Sequence, residues 1–503
     1  MGLLDLPPEL LDAIINYAGP AGIESFVLSC KAVHVRAASQ IQQHNALKRR
    51  WTSTTLSRPT ALHGDALHLL YDISQDPLTA QYVEVLSLWD RRLEESIDPD
   101  NVEDFRTNEQ GMAEIKKTVM ENRYLQLANV DLEDWWDHIV SEGPDDIFYI
   151  VITLLSLLPN LKTLQLPPGR WGNFNPYEFS EEPERTLVSV LDTIVSQAHP
   201  TGYSGPPLSK LEKILPFTPE GYDMRAGLQS LEPFMVLDSI REIYASSCVA
   251  VDDSYTGIPF QWRHGHQPSP ITKLELAHCC IDAEGLEALV AHTPALHTFR
   301  YSHQTKWHGC QHDWNPGAFL STLGKYCGPN INHLAVTIDE LLGDIINGMS
   351  TFFAFPALQT LEVDVRVFCG PPLESGQQLG EGSRSSEGAN PWTHSDIPCI
   401  GEMLPPSIEE VEINTDFPQP DEAALNSLLK NIVFHRGTRL FRLHKFIVRQ
   451  FDSDSAQTLA DKVGVTLEVF STQRAGHPDI PRAMMPRWKR TFEEDVGPLP
   501  EEQ

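Results

Sequence analysis

Nine segments of the chain repeat one short pattern, with apolar residues at the first, fourth and sixth positions. They are Val83/Leu86/Leu88, Leu161/Leu164/Leu166, Ile240/Ile243/Ala245, Ile271/Leu274/Leu276, Leu296/Phe299/Tyr301, Ile331/Leu334/Val336, Leu358/Leu361/Val363, Ile408/Val411/Ile413 and Leu443/Phe446/Val448. Successive side chains of an extended chain point to opposite faces, so positions four and six share a face and the residues between them take the other. In the fourth segment this predicts Leu274 and Leu276 inside a strand, with Lys273 and Glu275 facing out. Several segments follow a helical run that ends in proline, as in "IVITLLSLLPNLKTLQL", "GLEALVAHTPALHTFRY" and "STFFAFPALQTLEV". Helix, proline and strand in repetition predict an α/β chain with parallel strands on one face and helices on the other.

The fourth segment, "ITKLELAHCCI", resembles the leucine-rich-repeat template L-x-x-L-x-L-x-x-[N/C]-x-L, with Cys279 at the turn position. From Ile240 to Leu358 the first positions recur at intervals approaching that family's period of about 20–29 residues; elsewhere they lie further apart. The resemblance implies an irregular solenoid, with parallel strands on its concave face and helices outside. A conventional α/β domain with parallel strands is the alternative that the pattern leaves open. At 503 residues the chain exceeds one compact core. Its expected organisation is a helical segment over 1–50, a helical linker and first repeat strand over 51–89, and the repeat region over 90–473. A tail follows over 474–503, expected to be free or to wrap the last repeat. Two insertions interrupt the repeats. Residues 90–145 are acidic and hold the helical runs "EQGMAEIKKTVMENRYLQLA" and "DLEDWWDHIV", while residues 370–398 are rich in Gly, Ser and Pro and predict a mobile surface loop.

The N-terminal stretch "LLDLPPELLDAII" predicts a helix with Pro8 in its first turn, where the missing N–H costs nothing, and Glu9 favouring the dipole. Gly19-Pro20 ends it. Ile23, Phe26, Val27 and Cys30 have the spacing of a second helix, and Val33, Ala37 and Ile41 that of a third running into "KRRW" at 48–51. Three such helices are too small to stand alone, so they must pack on the rest of the chain, on a partner, or on both.

Leu6 to His34 resembles an F-box of the fungal type: Leu6, Pro7, Glu9, Leu10, Leu11, Ile14, Cys30 and Lys31 match, and Val33-His34 departs where many members have Trp or Leu. Residues 67–89 resemble the stretch that joins F-box to repeats in fungal relatives. The resemblance implies docking on a Skp-type adaptor, which joins F-boxes to a cullin–RING ubiquitin ligase, the SCF assembly. It also implies that Leu4, Leu6, Pro7, Leu10, Leu11, Ile14, Cys30 and Lys31 bind the adaptor. The expected function is that of a substrate receptor, non-catalytic itself, which holds a target protein near the transferred ubiquitin. A leucine-rich-repeat-like interaction scaffold without a ligase role is the alternative.

Composition narrows the partners. The net charge of −31 repels phosphate backbones and anionic lipid heads, so neither nucleic acid nor membrane is expected as a partner. The first basic residue is Lys31, which leaves no positive region for a secretory signal, and the apolar run 147–158 has the length of a buried helix. The eight scattered cysteines form no C-x-x-C pair and read as reduced thiols in a cytoplasmic or nuclear protein.

No active-site motif occurs, and neither an enzyme nor a cofactor is expected. His303, His308, Cys310 and His312 lie close in sequence, but structural zinc takes four ligands in wider pairs, and a polar loop is the expectation. Cys279-Cys280 is expected in the core. Target binding is expected on the outward positions of the strands, at Glu242, Tyr244, Lys273, Glu275, Arg300, Glu362, Asp364, Glu410 and Glu412, joined by Thr298, His333, Thr337 and Thr360. Clustered carboxylates there would attract a basic segment of the target.

Overall fold

The computed structural model describes residues 3, 6–20, 22–56, 65–88, 109–141, 146–167, 182–198, 205–380, 383, 396–414, 422–449, 454–468 and 485–497. They fall into two units, Met1–Pro167 with Arg185–Glu212, and Pro168–Glu184 with Lys213–Gln503.

The first unit opens with helices α1 (Pro8–Ala18), α2 (Ile23–Leu28), α3 (Lys31–Arg36) and α4 (Ala38–Trp51). Pro8 occupies the first turn of α1, as its chemistry dictates. The single third helix expected from Lys31 onward is instead two, because Ala37 (φ −81°, ψ 10°) leaves helical geometry. Leu11, Ile15, Ile23, Val27, Val33 and Ala37 form a common core, with Phe26, Cys30 and Ile41 packed against it. Arg36 ties α3 to α1 by donating to both carboxylate oxygens of Asp12 at 2.7 Å.

Helix α4 ends at Trp51, and β1 (Ser53–Thr55) begins after Thr52. Strand β1 pairs in parallel with β2 (Val85–Ser87), and β2 with β3 (Thr163–Gln165). Around them lie α5 (Asp65–Gln75), α6 (Glu109–Met120), α7 (Arg123–Leu127), α8 (Leu132–Val140), α9 (Ile147–Leu155) and α10 (Glu184–Ser196). The described helices of the 90–145 insertion are core elements: Ile115, Val119, Leu125 and Ile139 are fully buried. Trp135 is buried too, and its Nε1 donates to Thr153 Oγ1 at 3.0 Å. Every residue of α9 is buried, and among the described residues no helix is long and apolar enough to cross a membrane.

The second unit is built on parallel strands. In chain order they are β4 (Lys213–Leu215), β5 (Ala226–Gly227), β6 (Glu242–Ser246), β7 (Cys248–Ala250), β8 (Lys273–Ile281), β9 (Thr298–Gln304), β10 (His333–Glu340), β11 (Thr360–Asp364), β12 (Glu410–Asn414), β13 (Lys445–Arg449) and β14 (Thr466–Glu468). The sheet runs β4-β6-β8-β9-β10-β11-β12-β13-β14, and β5 and β7 form a short second ladder against the end of β8. All nine expected segments fall on strands. Strand β4 went unseen because its pattern, Leu211 and Ile214, has Pro216 at position six.

The register is uniform over positions four to six, and shifts further along β8, between Leu276 and Cys279, and β10, between Ile338 and Glu340. Ile243, Leu274, Phe299, Leu334, Leu361, Val411 and Phe446 are neighbours across successive strands, and so are Ala245, Leu276, Tyr301, Val336, Val363, Ile413 and Val448. None of the fourteen is more than 2% exposed. Helices α11 (Ala283–Val290) and α12 (Pro316–Cys327) bury Leu286, Leu289, Phe319, Leu320 and Leu323. The Tyr301 and Phe319 rings meet at 4.7 Å, so α12 packs on the apolar face of the sheet.

Further helices, α13 (Val365–Phe368), α14 (Ile400–Met403), α15 (Glu422–Leu428), α16 (Ile432–Thr438) and α17 (Asp454–Val463), connect the later strands, and α18 (Arg487–Val496) is the last. Two expectations need correction here. Glu275 does not face solvent but is fully buried, because α18 lies across the opposite face of the sheet, with Trp488 and Phe492 against Tyr244, Ala277 and Ala335. The expected 370–398 loop is packed over its first part, where Asn347 Nδ2 donates to Pro371 O at 3.0 Å and to Gln377 O at 2.8 Å. Residues 381–395, apart from 383, lie outside the described residues.

Because Leu276 is fully buried in that ladder, Leu276→Ala should cost about 2–5 kcal/mol in denaturant unfolding. Lys325→Ala, whose side chain is 63% exposed beside Glu287, should cost under about 1 kcal/mol.

Candidate interaction sites

The residues expected to bind an adaptor divide by helix face. Leu10 (53% exposed) and Ile14 (37%) stand on the outer side of α1, Pro7 and Lys31 are exposed, and Leu6 is half-buried. Leu11 is a correction: it points into the small helical core, where Ile15 accompanies it, and is not open to a partner. Cys30 is half-buried and holds the start of α3 by accepting the Val33 N–H at Sγ. Leu4 lies outside the described residues. The outer side of α1 also carries Tyr17, 93% exposed, and on α2 Leu28 is 78% exposed. Positions 10, 14 and 17 follow the helical period, so Tyr17 was readable from spacing.

The second site is the polar face of the large sheet. Tyr244, Glu275 and Arg300 are neighbours in register, and so are Glu362 and Glu412, while Glu242, Lys273 and Glu410 lie two residues earlier on their strands. The expected residues therefore share a face, with one exception of role. Asp364 turns to cap α13, accepting the Arg366 N–H at 2.9 Å. The face is not open, however: the chain itself supplies the basic segment. Arg487 donates to Glu412 at 2.6 Å, and the backbone N–H groups of Arg487 and Trp488 donate to the two oxygens of Glu362 at 2.7 and 2.9 Å. Trp488 Nε1 donates to Thr337 Oγ1 at 3.1 Å, and Lys489 Nζ to Asp339 at 2.8 Å. At the far end of α18, Asp495 accepts from Lys273 at 2.8 Å and from the Tyr244 hydroxyl at 3.2 Å.

Sequence reading missed Arg449, which is 1% exposed at the centre of this arrangement. Its guanidinium donates to Glu412 at 2.9 Å, Glu468 at 3.0 Å and Asn414 at 3.2 Å. Burial raises the Glu362 carboxyl above its usual range, and the nearby Glu412 adds to that. Burial likewise raises Glu275, against the pull of Arg300 and Lys273. Asp339 goes the other way. Burial opposes its charge, but His278 and Lys489 together hold it far below the usual carboxylate range. A groove of about 300 Å³ remains open beside the start of α18, bounded by Arg300, His333, Thr360, Glu362, Glu410 and Arg487.

The 301–314 residues do not converge. His303 is fully buried, stacked on Trp314 at 4.3 Å and sharing a hydrogen bond with Tyr301, and burial brings its imidazole down to about 3. His308 and His312 are exposed, while Cys310 is buried beside Cys280. Cys279 and Cys280 are fully buried. Cys399 and Glu402, at α14, and His435 on α16 do approach within 4.8 Å of one another. The Cys399 thiol there donates to Lys430 O at 2.8 Å.

No family model matches the chain, and no curated protein matches it.

Because its carboxyl is depressed in the folded state, Asp339 contributes stability that is present above its unfolded value near 4 and is lost as pH falls through the lower folded value. The stability difference between the wild type and Asp339→Asn should therefore be largest at neutral pH and shrink steadily below about pH 4. Urea midpoints across pH 2–7 check this.

Proposed function

We propose that the chain is a substrate receptor of an SCF-type cullin–RING ubiquitin ligase. Its N-terminal helices are the F-box that docks on a Skp-type adaptor, and the sheet of the second unit is an irregular leucine-rich-repeat-like solenoid that takes a target protein. The observation that carries this reading is the exposed apolar row Leu10, Ile14 and Tyr17 on α1, with Leu28 on α2, beside the Leu6-Pro7-x-Glu9 signature. A helix of this size buries its inner row in its own core, so an outer row of large apolar groups calls for a partner surface.

The uniform register of positions four and six, with helices packed on that face, supports the solenoid reading of the second unit. The opposite face, where the polar positions gather, is the target surface in such a scaffold. Catalysis then belongs to the ligase's other subunits, and the chain contributes proximity.

The test is co-purification with a Skp-type adaptor. Leu10→Ala with Tyr17→Ala changes only exposed groups, so folding should survive. Losing one such anchor removes about 1.5–3 kcal/mol of burial. Recovery of the adaptor should fall at least about tenfold. Unchanged recovery, or no adaptor with the wild type, overturns the assignment.

A further inference from the structure

The polar face of the large sheet is covered by a helix that packs on it through a small apolar cluster set among charged contacts. Beneath α18 lie Tyr244, Ala277, Ala335, Thr337, Glu362 and Glu412, small or polar groups that water can solvate, whereas the other face of the same strands is wholly apolar. Helix α18 also has its charges in the wrong order for a free helix. Arg487, Lys489 and Arg490 stand in its first turn and Glu493, Glu494 and Asp495 towards its end. Cations at the N-terminus and anions at the C-terminus both oppose the helix dipole. The order makes sense only against the sheet, where Arg487 meets Glu412, Lys489 meets Asp339, and Asp495 meets Lys273. Its buried apolar anchors are two, Trp488 and Phe492 one turn apart, with Val496 packed at the rim of the same cluster. Clefts of about 300 Å³ and about 410 Å³ border the helix, the second on the side of Ile447 and Glu468.

We propose that this face is a binding site for a basic amphipathic helix of a partner protein, anchored by two aromatic residues one turn apart, and that α18 is the chain's own occupant of it. This names the target class for the surface assigned under the receptor reading, and rests on that reading only for the consequence of binding. The partner helix places an Arg on Glu412, its first backbone N–H groups on the Glu362 carboxylate, a Trp indole N–H on Thr337 and a Lys on Asp339. An occupant on the same chain competes at an effective concentration of order millimolar. A free helix of equal intrinsic affinity in the micromolar range is therefore held back by roughly 10²- to 10³-fold until α18 lifts.

The experiment uses the full chain carrying Trp488→Ala and Phe492→Ala, which weakens the resident helix, and a fluorescein-labelled peptide of residues 485–497. Anisotropy should show the peptide binding the double variant at least about 100-fold more tightly than the wild type. Binding should weaken as salt rises from about 0.05 to 0.5 M. A second peptide, keeping only Arg487, Trp488, Lys489 and Phe492 on an alanine-based helix, should bind as well, and one lacking both aromatics should not. A cooperatively folded variant that ignores the peptides makes α18 a fixed part of the fold and overturns the proposal. So does a variant that no longer melts cooperatively. Binding of the native peptide alone overturns the partner class. Adaptor recovery by the same variant is read separately, so failure of the receptor reading leaves these outcomes unaffected.

Discussion

The second unit depends on one constraint, that strands β6, β8, β9, β10, β11, β12 and β13 enter the sheet in the same register at positions four to six. A slip of one residue at any strand would carry its apolar pair to the polar face and its carboxylates into the core. The penalty for such a slip is large because the apolar face is closed by α11 and α12 with no exposure left in the ladder. Uniform register also stacks like positions on like. Position five becomes a row in which Tyr244, Glu275 and Arg300 lie on one side of Ala335 and Glu362 and Glu412 on the other, and charges spaced by tens of residues in sequence become neighbours about 5 Å apart.

That row explains the electrostatics. Glu362 and Glu412 are adjacent, buried and of like sign, an arrangement that is unfavourable unless cations and N–H donors converge on it. Arg449 enters from the sheet, and Arg487 with the first N–H groups of α18 enters from above. Asp339 is matched in the same way by His278 and Lys489. Carboxylates and cations are thus matched across the surface rather than within one segment, so the acidic half of the pair precedes the basic half by more than a hundred residues in the case of Asp339 and Lys489.

Much of this architecture was legible locally. The alternation around Leu274 and Leu276 is a property of six residues and needs no tertiary information, and the same holds for Pro8 at the start of α1. What was not legible depended on distant chain. Glu275 reads as a solvent-facing residue until a helix from the C-terminus covers it, and nothing near position 275 announces that. Leu10 and Leu11 are equally apolar neighbours, yet only the three-dimensional packing of α1 on α2 and α3 decides which is inside. The break at Ala37 was hidden because alanine favours the helix it interrupts. The packed start of the 370–398 segment was masked by its composition, since Asn347 fixes it through backbone carbonyls that any sequence would present.

Helix α4 and strand β1 are joined through Thr52 alone, with Trp51 buried and Thr54 Oγ1 donating to the Trp51 carbonyl at 3.0 Å. Behind them His44 shares a hydrogen bond with the Tyr82 hydroxyl at 2.9 Å. A bending moment applied to α4 is transmitted to β1 and on to β2 and β3 through their shared ladder, as through a cantilever fixed at its root. Whatever grips the outer side of the N-terminal helices holds the first three strands in a fixed orientation, and the stiffness of that mount is set by a buried tryptophan rather than by a linker.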